Sequence, residues 1–169
     1  MVTLYLLRHA KSSWAEPGKT DFDRTLNSRG HTDLPEIAAM MKERGFVPQH
    51  VFCSDALRTK MTWDGVRVAF DPVPPVVYEH ALYAGEISDY LDCLRGLSDK
   101  GSAMIVGHNP MCEGLAGELV NHGDPAALSA FSQKYPTGAL AVIDLDIENW
   151  SEIAPGSGYL RAFIAPRDL

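Results

Sequence analysis

Two histidines and two arginines lie directly beyond short apolar segments of this 169-residue chain. The combinations are residues 4–7 with Arg8 and His9, residues 51–53 with Arg58, and residues 103–106 with His108. Short apolar runs of this kind are typical of strands buried in a parallel sheet. Because the carboxyl ends of parallel strands meet at one edge, where α/β proteins bind ligands, we expect the four polar side chains to converge there.

This set of side chains suits phosphoryl transfer, which requires a positioned nucleophile and stabilisation of the equatorial oxygens. A guanidinium can hold two phosphate oxygens and stays charged, so Arg8 and Arg58 are predicted to bind the phosphoryl group. Their charges disfavour a nearby imidazolium, which leaves His9 as a neutral nucleophile. We expect His108, when protonated, to donate to the phosphoryl oxygens.

Polar residues next to the two histidines are further binding candidates. Ser12 is predicted to contact phosphate, as Ser13 could, although a solvated loop is the alternative for both. Lys11 in the same loop could steer an acidic phosphoprotein. Asn109 precedes a predicted helix whose N-terminus favours an anion, and it is predicted to bind substrate. Thr62 could reach the pocket floor or cap its helix.

Segments with strand character alternate with segments of helical periodicity along the chain. This alternation predicts one three-layer α/β/α domain over residues 1–169, with a mostly parallel sheet and helices on both faces. The predicted strands cover residues 2–8, 51–53, 76–78, 103–106, 138–144 and 158–165. The predicted helices cover residues 28–44, 56–68, 87–99, 111–121 and 126–134. In the first helix we expect Pro35 in the first turn, with the regular helix beginning near Asp33.

The composition is typical of a globular protein, with 46% apolar and 22% charged residues. A formal charge of −7 argues against nucleic acid or an anionic membrane as the partner. Cys53, Cys93 and Cys112 form no closely spaced pair, and no secretion signal is recognisable, so we expect reduced thiols in the cytoplasm. No histidine or cysteine spacing matches a zinc site, and we expect neither a metal ion nor another cofactor.

Three motifs resemble those of the histidine phosphatase superfamily, which includes cofactor-dependent phosphoglycerate mutases, acid phosphatases and small bacterial phosphatases. They are Leu7-Arg8-His9-Ala10, Ser54-Asp55-Ala56-Leu57-Arg58 and Val106-Gly107-His108-Asn109, and residues 24–30 resemble the segment R-x-L-x-x-x-G. The chain looks most similar to the compact SixA-type phosphohistidine phosphatases. The resemblance implies a phosphoglycerate mutase-like fold and a phosphate pocket formed by Arg8, Arg58 and His108. It also implies that His9 is transiently phosphorylated and then regenerated by water.

The resemblance further implies a carboxylate that protonates the leaving group. Glu79 follows the third predicted strand, where many members carry this acid, and is therefore the predicted proton donor. Asp55 and Asp21 are alternatives near the same predicted edge. A strong acid is less necessary if the substrate is phosphohistidine, because a protonated imidazole is already a good leaving group.

Two departures from the mutases favour hydrolysis. The chain has Trp14-Ala15 where mutases have Trp-Asn, and only 28 residues separate Glu79 from His108, which leaves no room for a large lid insertion. A mutase must keep its intermediate away from water, whereas an open pocket suits a phosphate on a protein side chain. We therefore expect a metal-independent phosphatase acting on phosphohistidine of a signalling or phosphotransfer protein. The alternatives are a small-molecule phosphomonoesterase of the same superfamily and a catalytically idle phosphoprotein-binding module.

Overall fold

The computed structural model describes residues 1–14 and 16–169, so Ala15 of the Trp14-Ala15 pair lies outside the described residues. A mixed sheet of seven strands forms the centre of the protein. The strands are β1 (Val2–Arg8), β2 (His50–Ser54), β3 (Val76–Glu79), β4 (Ser102–Gly107), β5 (Val120–Gly123), β6 (Leu140–Leu145) and β7 (Gly158–Ile164). The helices are α1 (Ser28–Arg44), α2 (Leu57–Val66), α3 (Ala81–Ala84), α4 (Ile87–Arg95), α5 (Met111–Leu119) and α6 (Pro125–Gln133).

The strand order in the sheet is β3-β2-β4-β1-β6-β7-β5. The first four strands pair in parallel, as do β5 and β7, whereas β6 runs antiparallel to both of its neighbours. The prediction of a mostly parallel sheet is therefore confirmed, with β6 as the exception. The parallel block is the part that matters for function, because it brings the carboxyl ends of β2, β4 and β1 to one edge.

Alternating side chains of the central strand β1 divide the core into two layers. Leu4 and Leu6 pack on one face of the sheet, together with α4, α5 and α6. Tyr5 and Leu7 pack on the opposite face, against α1 and α2. The three-layer α/β/α arrangement predicted from the sequence is confirmed, and burial on both faces explains why the strands read as continuous apolar runs.

Helix α1 begins earlier than expected. Its first residue is Ser28, and the side chain of Asn27 caps it by accepting a hydrogen bond from the Gly30 N–H at 2.9 Å. Pro35 consequently lies inside the helix, and the expected start near Asp33 is wrong. The carbonyl left without a partner belongs to His31, and because His31 and Pro35 are both exposed, water can hydrate that turn.

Two short elements were not predicted. Helix α5 ends at Leu119 rather than near residue 121, and the strand β5 follows at once. This four-residue edge strand exists through its pairing with β7, a contact made between segments distant in sequence. The single turn α3 lies between β3 and α4, and it was also missed because four residues carry no helical periodicity. None of the helices in the two described ranges is long and apolar enough to cross a membrane.

The first turn of α1 packs very closely against the segment that follows β1. A Cβ atom built on Gly30 would overlap the carbonyl oxygen of Lys11, which also accepts a hydrogen bond from the Asn27 N–H at 3.0 Å. No side chain fits there unless the backbone moves. The absence of a side chain at Gly30 therefore fixes the path of the chain just beyond His9.

We predict that Gly30→Ala lowers the free energy of unfolding by about 1–3 kcal/mol, because the new methyl group displaces backbone rather than a flexible side chain. The measurement is urea denaturation followed by circular dichroism. Gly117→Ala is the matched control, since Gly117 lies exposed in α5 with no atom within 4 Å of a built Cβ. That variant should gain roughly 0.5–1 kcal/mol. Equal stability changes in the two variants would contradict the close approach at Gly30.

Candidate active site

A cavity of about 200 Å³ opens at the carboxyl ends of β1, β2 and β4. Six of the seven predicted site residues contribute to its wall, and the seventh, Glu79, does not. The six are Arg8, His9, Ser12, Arg58, His108 and Asn109. The rings of the two histidines are adjacent, with their centroids 5.3 Å apart. The convergence expected from the strand ends is therefore what the fold produces.

His9 is held in one tautomer by a backbone contact. Its Nδ1 lies 2.7 Å from the carbonyl oxygen of Ala10, and because a carbonyl only accepts, Nδ1 carries the proton. Nε2 is consequently left with a free lone pair. His9 is 6% exposed, and its pKa is lowered to about 3, mainly by burial and further by the charges of Arg58 and Arg8. The imidazole is thus neutral at physiological pH, the state that a nucleophile requires.

The surroundings of His108 also favour the neutral ring, so the protonated form considered from the sequence is not the form that this environment favours. Burial lowers its pKa to about 3, with the neighbouring His9 and Arg58 contributing. Its Nε2 lies 2.8 Å from the hydroxyl oxygen of Ser54, which already accepts from the Ala56 N–H at 3.2 Å. The arrangement that gives the Ser54 hydroxyl an acceptor has Ser54 donating to Nε2, which places the ring proton on Nδ1. His108 can therefore donate one neutral N–H.

Three buried nitrogens at this site have no hydrogen-bond partner, and within residues 1–14 and 16–169 they are the only such buried side-chain atoms. They are Nε of Arg8, Nε of Arg58 and Nδ1 of His108. Leaving a buried donor unpaired costs about 1–3 kcal/mol, so three together are unusual in a folded protein. All three residues line the cavity, so an oxyanion bound there is a candidate acceptor for these donors.

Terminal nitrogens anchor both guanidinium groups. Nη1 of Arg8 donates to the carbonyl oxygen of Tyr135 at 2.8 Å. Nη1 and Nη2 of Arg58 donate to the carbonyl oxygen of Asp21 at 2.8 Å and to its Oδ2 at 3.2 Å. Each fork is therefore fixed at one end and unpaired at Nε. This geometry preorganises both cations before a ligand arrives.

Asp21 is the counter-ion of the site. Its carboxylate accepts hydrogen bonds from Arg24 at 2.8 Å, from the Tyr83 hydroxyl at 2.7 Å and from Arg58 at 3.2 Å. The bonds from Arg24 and Tyr83, followed by the charge of Arg58, hold the pKa of Asp21 well below its usual range. A carboxyl group in this state is ionised at neutral pH. Its geometry suits an anchor for Arg58, not the proton donor considered from the sequence.

Glu79 and Asp55 lie next to the cavity and outside its wall. Glu79 is half-buried at the end of β3, where it is paired in register with Ser54 of β2. Asp55 accepts a hydrogen bond from Nδ1 of His80 at 3.0 Å, and the His80 side chain is exposed. Unlike Asp55, Glu79 forms no hydrogen bond or ion pair with the described part of the chain.

Among the smaller polar residues, Ser12 and Asn109 line the cavity, whereas Thr62 lies behind it. The Ser12 hydroxyl accepts from Nη2 of Arg24 at 2.7 Å, and the Asn109 amide donates to the Tyr135 carbonyl oxygen at 3.3 Å. Thr62 is buried behind the site, where its hydroxyl accepts from the Ala10 N–H at 3.0 Å and donates to the Arg58 carbonyl oxygen at 2.7 Å. It ties β1 to α2 and neither lines the cavity nor caps the helix.

Sequence reasoning did not select Arg24, Tyr83 or Ser54 as individual site residues. Arg24 lines the cavity and lies 4.7 Å from the ring of Trp14, which is 80% exposed. The ring of Tyr83 stands edge-on to His108 at 5.6 Å. Arg24 and Ser54 belong to segments that resemble the family motifs, whereas Tyr83 reaches the site only through the unpredicted turn α3.

In the described residues, no group of three or more histidine, cysteine, aspartate or glutamate side chains is placed to hold a metal ion.

Comparison with known proteins agrees with this geometry. The model of the histidine phosphatase superfamily (branch 1) matches residues 4–83. A candidate phosphohistidine phosphatase SixA from Agrobacterium tumefaciens is 31% identical, with 98% of both chains covered and a TM-score of 0.80. A second candidate SixA, from Nakamurella multipartitia, is 26% identical over 98% of this chain and 96% of that one, with a TM-score of 0.80. An uncharacterised chloroplastic protein of Arabidopsis thaliana is 29% identical over 96% of this chain and 77% of its own length.

The chain therefore belongs to the histidine phosphatase superfamily, as the three sequence motifs indicated. Its fold is the phosphoglycerate mutase-like α/β fold, in the compact form that the SixA structures share. A histidine-phosphatase-type function follows from this membership.

The two buried histidines make stability depend on pH. Each has a folded-state pKa of about 3, below the usual 6.5, so the unfolded chain binds protons that the folded chain does not. Their contribution is complete above about pH 6.5 and declines as the pH falls towards about 3. The direction follows from linkage, because stability rises with pH wherever the unfolded state binds more protons.

We predict that lowering the pH from about 7.5 to about 4.5 reduces the free energy of unfolding of the wild type more than that of His9→Gln, by on the order of 2 kcal/mol. Urea denaturation at the two pH values provides the measurement. His31→Gln is the control, because His31 is exposed and its removal should leave the wild-type pH dependence in place. Identical pH dependences for the wild type and His9→Gln would show that His9 titrates normally in the folded protein.

Proposed function

We propose that this protein hydrolyses phosphohistidine on a signalling or phosphotransfer protein, through a phosphorylated His9 and without a metal ion or cofactor. One observation carries the proposal: the three residues that hold unpaired buried N–H donors line the same cavity as a neutral histidine. The names of the two SixA relatives support the substrate class. Residues 1–169 would act as one histidine phosphatase domain.

In the first step, Nε2 of His9 attacks phosphorus in line with the leaving group. The new bond joins phosphorus to Nε2, and the bond that breaks joins phosphorus to the imidazole nitrogen of the substrate, which leaves carrying a proton. Arg8, Arg58 and the Nδ1–H of His108 hold the equatorial oxygens, whose charge is spread over all three in the transition state. Because these donors are preorganised and buried, their stabilisation exceeds what water would provide.

In the second step, water attacks the same phosphorus atom. The bond from phosphorus to Nε2 of His9 breaks, inorganic phosphate forms, and the proton of the attacking water passes to phosphate or solvent. His9 returns to its neutral tautomer, since Nδ1 keeps its proton through the contact with Ala10. Its lowered pKa means that the free enzyme is ready for another turnover without first losing a proton.

The surroundings of the cavity favour a phosphate carried on a protein. Between β3 and β4 the chain forms only α3 and α4, and no large insertion covers the site. A phosphorylated side chain on a folded partner can therefore reach His9 directly. A small-molecule phosphomonoesterase and an idle phosphoprotein-binding module remain the alternatives, and each predicts a distinct outcome in the assay below.

The state of the three cysteines agrees with histidine, and not cysteine, as the nucleophile. It also agrees with a reducing compartment, and we propose the cytoplasm. Cys53, Cys93 and Cys112 are free thiols. Burial raises the pKa of Cys93 to about 11 and that of Cys112 to about 12, and it raises that of Cys53 further. All three are thus protonated at neutral pH, and none is an activated nucleophile.

Glu79 remains the proposed proton donor, and its test separates two kinds of substrate. We predict that Glu79→Gln lowers kcat on an alkyl phosphate ester by about 10²–10⁴-fold, the usual contribution of a general acid, and changes kcat on phosphohistidine much less. A protonated imidazole leaves without further help, whereas an alkoxide does not. Asp55→Asn is the matched control and should change neither. Equal losses on both substrates would remove Glu79 as the acid.

The proposed function is tested with chelator-treated protein on a phosphohistidine protein and a panel of phosphate esters. We expect wild-type turnover of phosphohistidine to survive chelation, and His9→Ala to lose turnover while still binding phosphate. His31→Ala, which removes an exposed histidine on α1, should behave as the wild type. Rapid quenching should trap an acid-labile, alkali-stable phosphoryl group on His9.

The contrary outcomes are distinct. Turnover of small esters alone would keep the chemistry of His9 and replace the proposed substrate. Loss of activity on chelation would show that a metal ion takes part. Phosphate binding without turnover on any substrate would favour the binding module.

A further inference from the structure

A second cavity, of about 300 Å³, adjoins the one that contains His9. The two share Arg8, Lys11 and Thr137 as a common wall. The second cavity extends from there along the start of α1, past the end of α6, to the last turn of the chain. We name it the basic cleft after the five cationic side chains that line it: Arg8, Lys11, Arg29, Lys134 and Arg167.

The charge of this cleft opposes that of the whole protein. Five of the 15 lysines and arginines line it, although the formal net charge of the chain is −7. The one carboxylate in its wall is Asp33, whose Oδ2 lies 4.0 Å from Nε of Arg29. Asp33 is largely covered while Arg29 is 69% exposed, so the carboxylate does little to neutralise the group that faces solvent.

Most of these cations have no ionic partner. Lys11, Lys134 and Arg167 form no ion pair within 4.0 Å in the described residues, unlike Arg24, Arg58 and Arg161 elsewhere. The cations come from four separate segments of the sequence, since only Arg8 and Lys11 are near neighbours along the chain, so no local run of basic residues accounts for them. Gathering unpaired like charges in one cleft is unfavourable for the folded state by itself. An anionic ligand that neutralises them would offset this repulsion.

We infer that the basic cleft binds the carboxylates of an acidic segment next to the phosphorylated residue of the substrate protein. The inference rests on the proposed function and specifies its substrate. Arg8 forms part of both cavities, so a polypeptide whose phosphoryl group lies at His9 can continue directly into the cleft. The remaining acidic surface repels the same segment, which leaves one favourable orientation for docking.

The chemistry of the cleft suits several spaced carboxylates. Lys11, Lys134 and Arg167 are exposed and long, and such side chains form solvated ion pairs along an extended chain. A single compact phosphate prefers buried forks with fixed geometry, which the cavity around His9 provides and the cleft does not. Acidic residues on one side of the phosphorylated position match the size and the charge distribution of the cleft.

The test compares two phosphohistidine peptides that differ only in flanking residues, glutamates in one and glutamines in the other. In the wild type, kcat/KM should favour the acidic peptide by roughly 3- to 10-fold at low salt, as expected for two or three exposed ion pairs. The variant Lys134→Gln/Arg167→Gln should lose this preference and keep its activity on the glutamine peptide, since neither residue lines the cavity of His9. Raising the salt to about 0.5 M should abolish the preference of the wild type as well.

The matched control is Lys42→Gln/Arg67→Gln, which removes one lysine and one arginine from other parts of the surface. It should retain the wild-type preference. Equal preference in all three proteins, or none in the wild type, would overturn the inference. If the control loses the preference to the same extent, general attraction accounts for it and the cleft does not.

A binding measurement keeps this result separate from the proposed function. Anisotropy of a labelled hexaglutamate peptide, against hexaglutamine, requires no turnover. Wild-type binding of hexaglutamate that weakens at least 3-fold in Lys134→Gln/Arg167→Gln alone supports the cleft even if phosphohistidine is not hydrolysed. No preference for hexaglutamate over hexaglutamine would overturn the cleft while leaving phosphatase activity intact.

Discussion

A neutral histidine buried between two guanidinium groups is the constraint on which this structure depends. Burial and the charges of Arg58 and Arg8 together keep His9 uncharged, and the same burial makes the unpaired nitrogens around it costly. The fold therefore carries the cost of three buried donors that have no partner within the described residues. The unpaired donors lower the stability of the folded protein locally, and in return they are already positioned to bind a phosphoryl group.

The parts of the protein around this point counteract that cost. Asp21 supplies negative charge to Arg58 and Arg24, and it does so from a solvent-facing turn rather than from inside the cavity. Ser54 fixes the tautomer of His108, and Thr62 ties the end of β1 to α2. None of these groups needs to touch a substrate. Each of them restricts the position or the tautomer of a residue that lines the cavity.

Electrostatics act on two scales in this molecule. Within the cavity, low exposure strengthens each contact between a cation and a phosphoryl oxygen. In the basic cleft, every cation except Arg8 is exposed and individually weak, and we propose that their combined field distinguishes one approaching surface from another. The acidic remainder of the protein sharpens that contrast. Under the two proposals, reaction and partner choice belong to neighbouring cavities that meet at Arg8.

The sequence by itself determined the layer architecture, the family and the set of residues at the strand ends. Strands buried on both faces leave an apolar run that ends abruptly, and a polar residue after such a run must lie at the sheet edge. That local rule was enough to bring Arg8, His9, Arg58 and His108 together. It also led to Ser12 and Asn109, because each lies within three residues of one of these histidines.

Only the tertiary structure decided how those groups are charged and held. Burial, which no single segment encodes, lowers the pKa of His108 and so favours its neutral form. Asp21 could not be recognised as an anchor until the fold placed Arg24, Tyr83 and Arg58 around it. The strand β5 and the grouping of the cleft cations depend likewise on contacts between distant segments. Local sequence specifies which residues can react, whereas the protonation state and the partners of each depend on the environment that the whole fold creates.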